Sequence, residues 1–69
     1  MKKFNYYGQE IEIPDYAKFV ATDRDGEMWW YTNKPSDAYS MWIVGKGGNC
    51  GRVSDVLNIK NWRGSLRKC

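Results

Sequence analysis

The sequence specifies a small all-β protein, an antiparallel twisted meander sheet of four or five strands with a short C-terminal helical turn. Three observations carry that expectation. The chain has 69 residues, the size of one domain, so residues 1–69 read as a single β-rich unit. Two short runs of β-branched and aromatic residues, Phe19-Val20-Ala21-Thr22 and Met28-Trp29-Trp30-Tyr31-Thr32, flank Asp23-Arg24-Asp25-Gly26. Asp at the first turn position and Gly at the fourth suit a type I turn closed by a left-handed glycine, which makes the pair a hairpin.

The other elements follow in order. Phe4 to Ile13 reads as a first hairpin, with Phe4 and Tyr6 before a turn at Gly8-Gln9 and Ile11 and Ile13 alternating with Glu10 and Glu12. Pro14 ends it, and Pro14 to Lys18 forms a helical turn or loop into the central hairpin. Asn33 to Asp37 is a loop by composition. Ser40 to Val44 returns as a strand, with Met41 and Ile43 on one face and Trp42 and Val44 on the other. The stretch Gly45 to Gly51 is too rich in glycine for regular structure and connects to a last strand at Arg52-Val53-Ser54. Asn61 caps a final helical turn that sets Trp62 and Leu66 on one side.

Four Trp, five Tyr and two Phe supply much of the apolar area, since each large ring buries roughly 150–250 Å². Their first task is structural. Eleven basic against eight acidic residues give a net charge of +3, a weak pointer to an anionic partner. The charge is uneven: Lys60, Arg63, Arg67 and Lys68 crowd the C-terminal end, and no acid follows Asp55. The two cysteines, Cys50 and Cys69, are too few for a disulfide framework and are expected as free thiols in a reducing cytosol. Met1-Lys2-Lys3 is followed by no apolar stretch of the signal-peptide kind, and no run approaches the ~20 apolar residues that span a bilayer. No membrane partner is expected.

Catalytic chemistry finds little support. The chain has no histidine, which removes the commonest general base, the usual nucleophile pairs and imidazole metal ligands. Aligning Gly26 with the glycine of a calcium loop puts Ala21 and Thr32 where carboxylates are required. Gly45 to Gly51 could nest an anion, but its Lys46 precedes most of the glycines and no helix follows, unlike a phosphate-binding loop. Glu10 and Glu12 share one strand face and read as the solvated side of an edge strand. Cys50 and Cys69 lack companion ligands for zinc. The expectation is a protein that is no enzyme and carries no metal or cofactor.

The aromatic residues have functional reach. On the strand Met28 to Thr32, Met28 and Trp30 face one way and Trp29 and Tyr31 the other, so both sides carry large apolar groups. Either the N-terminal hairpin or the C-terminal segment covers the second side, or that side is a contact face rimmed by Lys and Arg. Trp29, Tyr31 and Trp42, with charge from Arg63, Arg67 and Lys68, are the candidate partner-binding residues. Such a face suits a protein hot spot, and it equally suits single-stranded nucleic acid, with bases on rings and phosphates on cations. A charge of +3 is small for a dedicated nucleic-acid binder, so a protein partner is preferred. An uncovered face would also serve a homodimer.

Two resemblances bear on this. Gly26 to Asn33 followed by Trp42 looks partly like the middle strand of a WW domain. The upstream tryptophan is missing, Lys34 stands where that family has histidine, and the spacing to Trp42 differs, so proline-ligand binding is not carried over. The chain more closely resembles short uncharacterised proteins of tailed phages, through Pro14-x-Tyr16-Ala17-x-Phe19-Val20-Ala21-Thr22-Asp23-x-Asp25-Gly26 and Asn61-Trp62-Arg63-x-Ser65-Leu66, under half of its length. That resemblance implies phage origin, the host cytoplasm, and action by binding and modulating a host protein.

Overall fold

The computed structural model describes residues 1–69 and contains eight strands: β1 (Lys2–Tyr6), β2 (Gln9–Ile13), β3 (Phe19–Thr22), β4 (Glu27–Tyr31), β5 (Ser36–Asp37), β6 (Trp42–Ile43), β7 (Cys50–Val56) and β8 (Arg67–Lys68). All pairings are antiparallel. The fold is therefore all-β, with one 3-10 turn at Trp62–Gly64 as its only helical element. The strands divide into a four-stranded sheet of order β7-β4-β3-β8 and two separate hairpins, β1-β2 and β5-β6. Consecutive strands are thus neighbours only within hairpins, and the four-stranded sheet departs from a simple meander because the chain returns to both of its edges.

The central hairpin forms as its turn chemistry dictates. Gly26 donates its N–H to the Asp23 carbonyl at 3.0 Å and takes a φ of 95°, a conformation glycine adopts without a Cβ clash. Asp25 Oδ1 accepts the Glu27 N–H at 3.0 Å and steadies the same turn. In the first hairpin the turn sits one residue earlier than expected, at Tyr7-Gly8, because Tyr6 pairs directly with Gln9. Both turn residues have positive φ, 52° and 77°, as a two-residue hairpin turn matched to strand twist requires. Tyr7 holds this unfavourable conformation under outside contacts: its hydroxyl donates to the Gly64 carbonyl at 3.2 Å, and the Arg67 guanidinium lies 4.7 Å from its ring centroid.

Two cores result, one on each face of the sheet. The β1-β2 hairpin lays Tyr6, Ile11 and Ile13 against Ala17, Val20, Met28 and Val53. On the opposite face, Ala21 and Tyr31 pack with Trp42 and Trp62. The alternation along β4 is as the sequence requires, with Trp30 against the first cluster and Trp29 and Tyr31 on the second. The second face is not left bare, however: Trp42 of β6 and Trp62 of the 3-10 turn cover it, their rings meeting edge-on at 90°.

A buried polar network joins the two ends of the chain through the middle. The Tyr6 hydroxyl, fully buried, donates to the Ser65 carbonyl at 2.9 Å and shares a 2.8 Å hydrogen bond with Thr22 Oγ1. Ser65 Oγ accepts the Thr22 N–H at 2.9 Å. These long-range bonds position β8 beside β3, so Arg67 and Lys68 form an edge strand opposite Val20 and Phe19. Cys50 and Gly51, expected in the glycine-rich connection, belong to β7, opposite Tyr31 and Trp30. Glycine is needed there because a Cβ at position 51 would lie 2.4 Å from the Trp30 ring. Asn61 caps the 3-10 turn as expected, accepting the Gly64 N–H at 3.2 Å, and both cysteines are free.

Candidate functional site

The second face is covered incompletely. Between β4 and the small β5-β6 hairpin lies a cleft of about 240 Å³. Trp29 and Tyr31 reach it from β4, Met41, Trp42, Ile43 and Val44 from the returning segment, and Cys50 from the start of β7; Asp23 is its one charged residue. At roughly 30 Å³ per water, the space equals about eight waters, and it falls below the ~300 Å³ at which drug-sized ligand pockets begin. It matches a single side chain. Met41 and Ile43 on its rim are 52% and 51% exposed, so the walls extend outward as an apolar lip.

The hairpin that completes the cleft is too short to hold itself, and Asp23 anchors it. Oδ1 of Asp23 accepts the Trp42 backbone N–H at 2.8 Å, and the Arg24 N–H donates to the Ser40 carbonyl at 3.0 Å. The Trp42 indole N–H donates to the Thr22 carbonyl at 3.0 Å, and the Trp62 carbonyl lies 3.3 Å away. Every polar group of Trp42 that enters the core is thereby satisfied.

Asp23 is the electrostatic feature of the cleft. It is 6% exposed and takes no part in the chain's four ion pairs, Met1 N-terminus–Asp15, Lys3–Glu10, Arg52–Glu27 and Arg63–Asp37. Burial is the main cause that raises its pKa above the ordinary carboxylate value; the nearby charges of Asp25 and Glu27 push the same way, while the Trp42 N–H bond opposes them. The Trp29 indole also favours the ionised carboxylate, yet its buried Nε1 makes no hydrogen bond.

The sequence-derived contact residues divide cleanly. Trp29, half-buried, and Tyr31 and Trp42, only 2% and 7% exposed, come together on the cleft. Tyr31 and Trp42 are core residues that show the cleft only an edge of themselves, so of the two alternatives the covered face is the one the burial favours. Arg63, Arg67 and Lys68 do not line the cleft. Arg63 Nε lies 3.4 Å from Asp37 Oδ2, with its guanidinium 5.0 Å from the Trp62 ring centroid. Arg67 donates to the Gly64 and Leu66 carbonyls and to the Tyr7 hydroxyl. Lys68 is exposed on β8. Reading the sequence for aromatics alone passes over Asp23 and the apolar lip. The turn nevertheless carries two aspartates where its own N–H groups use Asp25, which leaves Asp23 for another purpose.

Fold and cleft define a small antiparallel β module with a side-chain-sized aromatic recess. No protein-family model, curated protein or solved structure matches the chain. No helix is long and apolar enough to cross a membrane.

Proposed function

We propose that the protein is a non-enzymatic accessory protein of the phage kind, which binds and modulates a host protein in the host cytoplasm through this cleft and its lip. The observation that carries the proposal is the recess itself: an apolar cavity of about 240 Å³, bordered by the half-exposed Met41 and Ile43. A concave apolar anchor site with an exposed apolar margin is the arrangement by which a few residues supply most of an interface's affinity. Arg63 and Arg67 are engaged within the chain, and Tyr31 and Trp42 are too buried to stack on bases. Both facts favour a protein over single-stranded nucleic acid.

The test compares capture from nuclease-treated host lysate by the wild type and by a Met41→Glu/Ile43→Glu variant, whose changes fall at exposed positions and leave the core intact. The recovered protein is then purified and its affinity measured for both forms. Binding that survives nuclease and drops at least tenfold in the variant supports the reading. Equal affinity of the two forms removes the cleft from the interface, recovery that vanishes with nuclease shifts the reading to nucleic acid, and self-association broken by the variant shifts it to a homodimer.

A further inference from the structure

We propose that the cleft receives a basic side chain of the partner, a lysine or arginine whose alkyl stem lies along the Trp29–Ile43 walls and whose charged head meets Asp23. This rests on the protein-binding reading above and names the chemistry that the site selects.

Cleft and occupant are complementary in charge. The cleft presents an anion and aromatic rings and contains no cation. Asp23 is its single charged residue, and the chain's ion pairs are formed by other acids. Of the two carboxylate oxygens, Oδ1 accepts the Trp42 N–H. The Trp29 indole beside the carboxylate favours its ionised form, while its sealed Nε1 lacks a full hydrogen bond. The carboxylate therefore has polar neighbours but no partner cation, and the cavity that Asp23 lines is the cleft. A buried carboxylate without a partner cation is costly, and an arriving cation removes that cost.

The surroundings reinforce the choice. Asp25 and Glu27 add negative potential at Asp23, so the turn is locally acidic on a chain of net charge +3. The half-buried Trp29 is the ring type that attracts a cation or packs against the methylenes behind it, and the edges of Tyr31 and Trp42 complete the apolar wall. A purely apolar occupant would fill the same volume but would seal the carboxylate from water with nothing to replace it. A free metal ion lacks support, since no group of three or more His, Cys, Asp or Glu is gathered to hold one.

The experiment is an NMR titration of the ¹⁵N-labelled protein, following the Trp29 and Trp42 indole N–H signals. The probes are N-acetyl-lysine methylamide and N-acetyl-norleucine methylamide, which share the alkyl stem and differ in the ammonium. The expected result is saturable binding of the lysine amide at roughly millimolar concentration, with norleucine at least tenfold weaker. Asp23→Asn retains an oxygen for the Trp42 N–H and should erase that difference; the wild-type comparison alone decides the matter if this variant does not fold. Norleucine binding as tightly as lysine would overturn the inference and leave the protein-binding reading standing, because that reading is tested separately through Met41 and Ile43. Absence of any shift with lysine would overturn it as well.

Discussion

Replacing Gly51 with alanine should destabilise the protein, although Gly51 sits in a strand at an ordinary φ where alanine is intrinsically preferred. The new Cβ would meet three atoms of the Trp30 ring, Cζ2 at 2.4 Å, Cε2 at 2.5 Å and Nε1 at 2.6 Å. Ordinary contact begins near 3.4 Å, so the ring must retreat by about 1 Å. That movement disturbs the contacts the half-buried ring now makes. Trp30 packs on the first core cluster and meets Tyr16 edge-on at a centroid distance of 5.5 Å. Forcing such a shift in a packed core costs about 1–3 kcal/mol, while the reduced freedom of the unfolded chain returns about 0.4–1 kcal/mol. The net loss spans about 0–2.6 kcal/mol with its centre near 1.3, and at 4–8 °C per kcal/mol for a domain of this size Tm should fall by roughly 5–10 °C. Thermal unfolding followed by circular dichroism reads this directly. In a Trp30→Leu background the clash is absent and Gly51→Ala should be neutral or mildly stabilising. An unchanged or raised Tm in the wild-type background would refute the claim that the Trp30 ring dictates glycine at this position.

Tyr6→Phe should cost about 1–3 kcal/mol in urea unfolding, because the hydroxyl joins Thr22 and Ser65 where neither can reach water; a loss below 0.5 kcal/mol, by the same principle, would mean that the network contributes little. Arg67→Ala should destabilise by about 0.5–1 kcal/mol through loss of the stack on Tyr7. In that background Tyr7→Asn should recover stability, since asparagine tolerates the positive φ of 52° better than tyrosine; further loss would contradict the strain argument. Burial raises the pKa of both Tyr6 and Tyr31. The folded state therefore binds these protons more tightly than the unfolded state, and stability holds below the ordinary tyrosine value near pH 10 and declines above it. Ultraviolet tyrosinate absorbance of the two should appear together with unfolding. Asp23 follows the same sign: its raised pKa favours folding at low pH and opposes it once the carboxylate ionises. The stability of Asp23→Asn relative to wild type should thus increase from acid to neutral pH in denaturant titrations, and a decrease would show that the charge is stabilised in place.

What could be read from the sequence is what short-range chemistry decides. The central hairpin was legible because Asp23, Asp25 and Gly26 build their turn from groups within five residues of each other. The alternation of Met41, Trp42 and Ile43 was legible because a strand's period is two, and the structure leaves Trp42 buried between two exposed neighbours. Contacts across the chain were not legible. Nothing near Arg67 and Lys68 distinguishes a basic tail from an edge strand; their place beside β3 depends on Ser65 meeting Tyr6 across 59 positions and Thr22 across 43. The first turn moved to Tyr7-Gly8 for a similar reason, since Arg67 and Gly64 support a tyrosine conformation that local propensity disfavours. The aromatic cluster was visible, but its share of core and contact was not. That division depends on the β5-β6 hairpin, two residues in each strand, which is held over the face by long-range bonds from Asp23 and Arg24 and from the Trp42 indole to Thr22. The segments from Pro14 to Gly26 and from Asn61 to Leu66 meet at Thr22 and Ser65, so these residues act in the fold.

Site-specific photocrosslinking tests whether the cleft is the binding surface. A benzophenone amino acid is placed at position 43, on the lip of the cleft, and in a second protein at position 12, an exposed site on β2; both are irradiated in host cells. One discrete, nuclease-resistant protein adduct is expected from position 43 and none from position 12. Equal adducts from both positions, or an adduct from position 12 alone, would contradict a binding function seated in the cleft.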